Sequence, residues 1–364
     1  MTSTAGRAGQ SGTLASEGQA RLSWRGEMLT VFFSAWALAG AFLDGWAHSR
    51  VIQFETFFTP WHAVFYTGFF AMAAWVIWTV RANHVAGYQG PAAVPVGYEL
   101  AITGLLIFGA GTVADFLWHE VFGIEQAGER LSSPAHLALF VGGVLVITSP
   151  LRSAWRDLAM PAAPSLRRFL SALLSLTLLA TAGSFFFLHV WGFHAADVLG
   201  TAQLDRLLDP LTAFPETGRT VLALAQIRVF GGIIITTLLL LGPLLALLHR
   251  WHPPFGSATI LFTTTVLWMT ALTEFRFAEA IPVALLAGLI ADVLIRTLRP
   301  SPTRAGAFRL VAMAVPMVLW SLYFLATELR WDLAVSPELW VGGIFFTGIA
   351  GLGMSLAAVP APRS

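Results

Sequence analysis

Six side chains stand out for the chemistry that their types and spacing permit. Asp44 and His48 are four residues apart, and so are Asp115 and His119. On a helix that spacing puts carboxylate and imidazole on one face. Each pair is followed, beyond a linker, by a Ser/Thr-Pro-x-His run: Thr59-Pro60-Trp61-His62 and Ser133-Pro134-Ala135-His136. Ser or Thr suits a helix N-cap and Pro the first helical position, so the second His falls in the first turn of a new helix and can point back at its partner. One carboxylate and two imidazoles then converge at the end of each helical hairpin. Such a set suits Cu(II), non-haem Fe(II), or zinc with an open position. The same residues can also form a proton or substrate pathway, or tie helix ends to loops.

The two hairpins are copies of one unit. Asp44 and His48 map onto Asp115 and His119 with an offset of 71, while Pro60, His62 and Gly68 map onto Pro134, His136 and Gly142 with an offset of 74. Three extra linker residues account for the difference. A weaker echo is Glu328-Leu-Arg-Trp331-Asp332 followed by Ser336-Pro337-Glu338 and Gly343. Fainter ones are Glu274 to Glu279 with Pro282 and Gly288, and His189 to Gln226 and Gly232. They suggest five hairpins from one ancestral unit.

The elements that must position these residues follow from composition. The chain has 364 residues, 56% apolar and only 11% charged, where soluble domains carry about 25% charged residues. Ten stretches are apolar over about the 20 residues that a membrane crossing needs: 28–48, 61–81, 97–119, 135–151, 166–190, 219–248, 255–274, 279–298, 307–328 and 338–358. The expected fold is an all-α, polytopic integral membrane bundle of about ten helices. Residues 1–26 read as a disordered tail without the apolar core of a signal peptide. Residues 27–364 read as a single transmembrane domain of hairpins at about 28–82, 96–151, 166–250, 255–299 and 306–359.

All 21 basic residues are Arg. Arg7, Arg21, Arg25, Arg81, Arg152, Arg156, Arg167, Arg168, Arg250, Arg296, Arg299, Arg304, Arg309 and Arg363 fall in the N-terminal tail, the even-to-odd loops and the C-terminus. The positive-inside rule then predicts a multi-pass protein of the cell membrane (inner or plasma) with both termini cytoplasmic. The Asp and His residues are thereby placed at the extracytoplasmic end. No Cys is present, which excludes disulfides, zinc fingers and thiolate sites. The missing Lys excludes a P-loop ATPase and Schiff-base chemistry. A net charge of +1 gives no basis for nucleic-acid binding.

Asp44-Gly-Trp-Ala-His48 through Phe58-Thr59-Pro60-Trp61-His62 resembles the metal motif in the C subunit of the particulate methane and ammonia monooxygenases, the copper membrane monooxygenases. That motif is an Asp-Gly-x-Trp-His stretch, an acidic linker and Phe-Thr-Pro-Ser-His. The resemblance covers residues 44–62, and 115–136 resembles it too. In both copies the linker is longer than the family's, and Trp46 sits one place early. The resemblance implies copper, with iron or zinc as alternatives, held by Asp44, His48, His62, Asp115, His119 and His136. It also implies oxidation of a small apolar substrate by dioxygen, and further membrane subunits or a homo-oligomer as partners within the lipid bilayer. A metal or proton transporter using the same residues is the alternative.

Other residues complete the set of candidates. Glu55, Glu120 and Glu125 could accept hydrogen bonds from the ligand imidazoles or remain solvated loop acids. His189, His194 and Asp197 fall where a third ligand set would lie. Arg228 in a span needs a carboxylate partner, with Glu274, Glu279 and Glu328 as candidates for an interior ion-pair network.

Overall fold

A computed structural model describes residues 18–50, 58–123 and 131–359. Each of the ten apolar stretches is helical: α1 (Trp24–Arg50), α2 (Pro60–Val85), α3 (Glu99–Phe122), α4 (Pro134–Ile147) continuing into α5 (Ser149–Trp155), α6 (Leu166–Phe186), α7 (Pro215–Arg250), α8 (Ser257–Leu272), α9 (Ala280–Leu298), α10 (Ala305–Trp331) and α11 (Pro337–Ala358). Eight are long and apolar enough to cross a membrane, α4 with α5 makes a ninth span bent by 40°, and α8 is shorter at 16 residues. Large apolar side chains such as Phe32, Phe70, Ile77, Trp78, Leu106 and Leu117 are exposed on these helices. A surface of that kind belongs in lipid. The chain is an all-α polytopic bundle. Residues 18–26 of the expected tail are built into it: the Ala20 amide donates to the Ala92 carbonyl, and the Val96 amide to that of Ala20.

The chain divides into two compact units, residues 1–160 with 168–179, and residues 161–167 with 180–364. In the first, α1 packs on α2 and α3 on α4. Each hairpin crosses where glycine removes the side chain that would hold the backbones apart. A Cβ on Gly68 would lie 2.7 Å from the Ala37 backbone, and one on Gly142 2.6 Å from the Phe108 amide nitrogen. Gly40 against Phe65 and Gly111 against Leu139 complete the crossings. These contacts obey the same offsets of 71 and 74, so the repeat seen in the ligands extends to the helix crossing. Phe69 and Phe108 stack at 4.1 Å in the core between the hairpins.

In the second unit α8 packs on α9 and α10 on α11. The expected α6–α7 hairpin departs from this pattern, because α7 runs chiefly along α11. Gly232 of α7 also approaches the carbonyl of Val190. Trp320, Tyr323 and Phe193 form the aromatic centre, and Trp320 Nε1 donates to Thr237 Oγ1 at 2.8 Å. Asp292 of α9 caps the start of α8: its carboxylate accepts the amides of Ala258 and Thr259, each at 3.0 Å, and the Thr259 hydroxyl at 2.6 Å. Truncation would strand those buried donors. Asp292→Ala is expected to cost about 2–3 kcal/mol, with part recovered in Asp292→Asn. Thermal unfolding in detergent measures both, and equal melting of Asp292→Ala and wild type would contradict the assignment.

Candidate metal centre

The expected hairpin ends form as their residue types require. Thr59 and Ser133 are N-caps in extended conformation, each accepting the amide three residues on, from His62 at 3.1 Å and from His136 at 3.3 Å. Pro60 and Pro134 follow at the first helical position. His62 and His136 therefore occupy the first turns of α2 and α4. Asp44 and His48 come from the last turns of α1, and Asp115 and His119 from those of α3.

Two trios result, and they are the groups of metal-ligand geometry among the described residues. In the first, Asp44 Oδ2 lies 3.6 Å from His48 Nε2 and Oδ1 lies 3.3 Å from His62 Nε2. In the second, Asp115 Oδ1 lies 3.6 Å from His119 Nε2 and 3.5 Å from His136 Nε2. One donor atom from each residue of a trio lies within 4.8 Å of the other two. Ligands about 2.0–2.2 Å from a tetrahedral metal stand about 3.3–3.6 Å apart, which matches the carboxylate-to-imidazole spacings. The side chains of Asp115 and His119 are 3% and 4% exposed, so this charge sits almost entirely out of water.

Two observations favour a cation within these trios. Oδ1 of Asp44 and Oδ1 of Asp115 are buried and accept no hydrogen bond from the described residues, although each has imidazole nitrogens close by. A buried carboxylate oxygen left this way is costly unless positive charge compensates it. The second observation is the tautomer of His119. Its Nδ1 lies 3.4 Å from the Gly123 carbonyl, which can only accept, so Nδ1 carries the proton. Its Nε2 lies 3.6 Å from Asp115 Oδ1. Only a shared proton or a metal ion makes that approach favourable. Gly123 is at φ 79°, a conformation that suits glycine.

The trios adjoin each other. The His62 and His119 rings stack with centroids 6.2 Å apart, and Tyr66, one turn beyond His62, donates from its hydroxyl to Asp115 Oδ2 at 2.8 Å. Ser133 does more than cap α4, since its Oγ is 2.7 Å from His136 Nδ1 and fixes that ring. Trp46 meets Trp61 edge-on, and Phe58 lies against Phe116, so aromatic groups flank the ligand-bearing turns.

The remaining candidates are placed differently. Glu120 is exposed at the end of α3, and Glu55 and Glu125 lie outside the described residues. His194 stacks on Phe277 at 5.0 Å. Burial, reinforced by the positive charges of Arg228 and Arg276, holds its pKa down at about 4, so the ring is neutral. Asp197 pairs with Arg276 at 2.5 Å. Arg228 is exposed, and its Nε donates to the His189 carbonyl. Arg330 supplies the partner of Glu279, at 3.0 Å, and Trp331 Nε1 donates to the same carboxylate. Glu328 is exposed and accepts the Leu333 amide, while Glu274 is exposed with φ 52°. Arg228, Glu274 and Glu328 are thus exposed, and among the described residues Glu279 pairs with Arg330.

Sequence reasoning missed Tyr66 and the ring contact of Ser133. Comparing the copies position by position would have flagged Tyr66, because its counterpart 74 residues on is Phe140. No family model, curated protein or solved structure matches the chain.

Ser133→Ala removes both the cap and the ring contact. It is expected to cost about 1 kcal/mol of stability and to weaken Co(II) or Cu(II) binding at the second trio by about 10–100-fold. Ser133→Thr should retain both functions. Titration against a competing chelator reads the affinity, and unchanged affinity in Ser133→Ala would refute the role given to the hydroxyl.

Proposed function

We propose that this protein is an integral membrane copper protein with one copper site in each Asp/His/His trio. The observation that carries the reading is a pair of buried carboxylate oxygens that accept no hydrogen bond from the described residues: Asp44 Oδ1, 3.3 Å from His62 Nε2, and Asp115 Oδ1, 3.6 and 3.5 Å from His119 and His136 Nε2. Two imidazoles and one carboxylate suit copper, and the open coordination they leave suits a small ligand. The local resemblance of residues 44–62 and 115–136 to the copper membrane monooxygenase C subunit supports copper over iron or zinc. The distribution of Arg supports cytoplasmic termini and extracytoplasmic sites in the cell membrane.

The activity proposed is oxidation of a small apolar substrate reaching the site from the lipid. Copper held by Asp44, His48 and His62 and by Asp115, His119 and His136 would supply one-electron redox chemistry. One atom of dioxygen would enter a C–H bond of the substrate, and the other would leave as water. That balance takes two electrons and two protons from a reductant of the quinol class dissolved in the bilayer. The protein's contribution is positional. Asp44 and Asp115 supply compensating negative charge, and the Gly123 carbonyl and Ser133 hydroxyl fix the rings of His119 and His136. The Trp46–Trp61 and Phe58–Phe116 ring pairs flank the ligand-bearing turns.

Elemental analysis of detergent-purified wild type, His62→Ala and His136→Ala tests the metal. The expected result is about two copper ions per wild-type chain and about one in each variant. A wild type holding no transition metal after gentle purification and reloading would overturn the reading, and ion flux in liposomes would then test the same residues as a transport pathway. Loss of all copper in either variant would replace two sites by one shared site.

A further inference from the structure

The two trios are built from one repeated unit, yet their carboxylates are used differently. Asp44 turns one oxygen to each histidine, Oδ2 to His48 and Oδ1 to His62. Asp115 turns the single oxygen Oδ1 to both His119 and His136, because its Oδ2 receives the hydroxyl of Tyr66. The repeat explains why only one trio has this feature. Tyr66 belongs to α2, which carries His62 of the first trio, and it crosses to the aspartate of the second. The position related to Tyr66 by the offset of 74 is Phe140 on α4, whose ring has no hydroxyl to offer Asp44 in return. Tyr66 is also buried, so the bond to Asp115 is protected from competing water.

We infer that Tyr66 makes the two metal sites inequivalent, by holding Asp115 as a one-oxygen ligand while Asp44 can present both of its oxygens. Tyr66 is a positioning residue and acts on the metal only through Asp115. The inference rests on the metal-binding reading above. A phenol hydrogen bond withdraws charge from the carboxylate and fixes its rotation, so the second site gains orientation and loses the option of bidentate binding. Tyr66 also ties the trios together mechanically. Its ring lies 6.0 Å from that of His62 on the same helix, and His62 stacks on His119.

The test isolates each site. His48→Ala is used to empty the first trio and His136→Ala the second, and Tyr66→Phe is added to each background. Cu(II) is titrated into the detergent-purified full chain and followed by electron paramagnetic resonance and chelator competition. With the first trio emptied, Tyr66→Phe is expected to keep one copper per chain, change its spectrum toward that of the Asp44 site, and weaken binding about 10–100-fold. With the second trio emptied, the same substitution is expected to leave spectrum and affinity unchanged. Phe140→Tyr in that background should move the Asp44 spectrum the opposite way. Equal effects of Tyr66→Phe in both backgrounds, or no effect in either, would overturn the inference while the metal sites stood. Failure of wild type to bind copper would remove the metal reading, and this inference with it.

Discussion

A carboxylate without a compensating positive charge is expensive in an apolar bundle, and that cost organises the first unit of this protein. Asp44 and Asp115 sit in the closing turns of two membrane helices, with little or no contact with water. Imidazole nitrogens lie against both carboxylates, at 3.3 to 3.6 Å. Imidazole can be neutral or cationic, and when neutral it is a metal ligand. A proton or a metal ion could complete the charge balance at these hairpin ends. The second unit handles the problem without one: Glu279 is paired with Arg330, and Asp292 spends its charge on the amides of α8. The contrast is between acids set against imidazoles in the first unit and acids set against an arginine or backbone amides in the second.

Convergence of the ligands depends on how closely the helices cross. Glycine at 40 and 68, and again at 111 and 142, lets backbone meet backbone within each hairpin. Helices that close can bring a carboxylate on one and an imidazole on the next within about 3.5 Å without long side chains, which would bring conformational entropy of their own. The N-caps add the second element of precision. A threonine or serine that holds the first free amide also sets the direction in which the new helix starts, and with it the direction of the histidine in its first turn.

Much of this was legible in the sequence, for identifiable reasons. Apolar runs of membrane length leave few alternatives to helix, so the ten segments could be read with boundaries displaced by a few residues. The trios could be read because the spacing of four and the Ser/Thr-Pro-x-His signature are both local rules. Tertiary relations were less accessible. Arg228 looked like an intramembrane charge in need of a carboxylate, but α7 begins at Pro215 and carries Arg228 at an exposed position beside the His189 carbonyl. No periodicity in α7 announces that placement. Tyr66 escaped notice because a tyrosine in an apolar helix is ordinary by itself. It gains meaning only from the neighbouring hairpin, whose Asp115 is 49 residues away. The start of α1 was likewise placed too late, and Ala20 before it is held by Ala92 and Val96 through backbone bonds that composition does not encode.

The short helix α8 has a consequence for the membrane itself. Sixteen residues make a helix of about 24 Å, several ångströms less than a hydrocarbon core of about 30 Å. Its start is recessed as well as short, because Asp292, which caps it, lies six residues before the end of α9, a depth of about 9 Å. As a crossing, a helix of that length would suit a thinner bilayer than its longer neighbours do, and lipid could meet it by thinning or by letting headgroups dip toward the capped end.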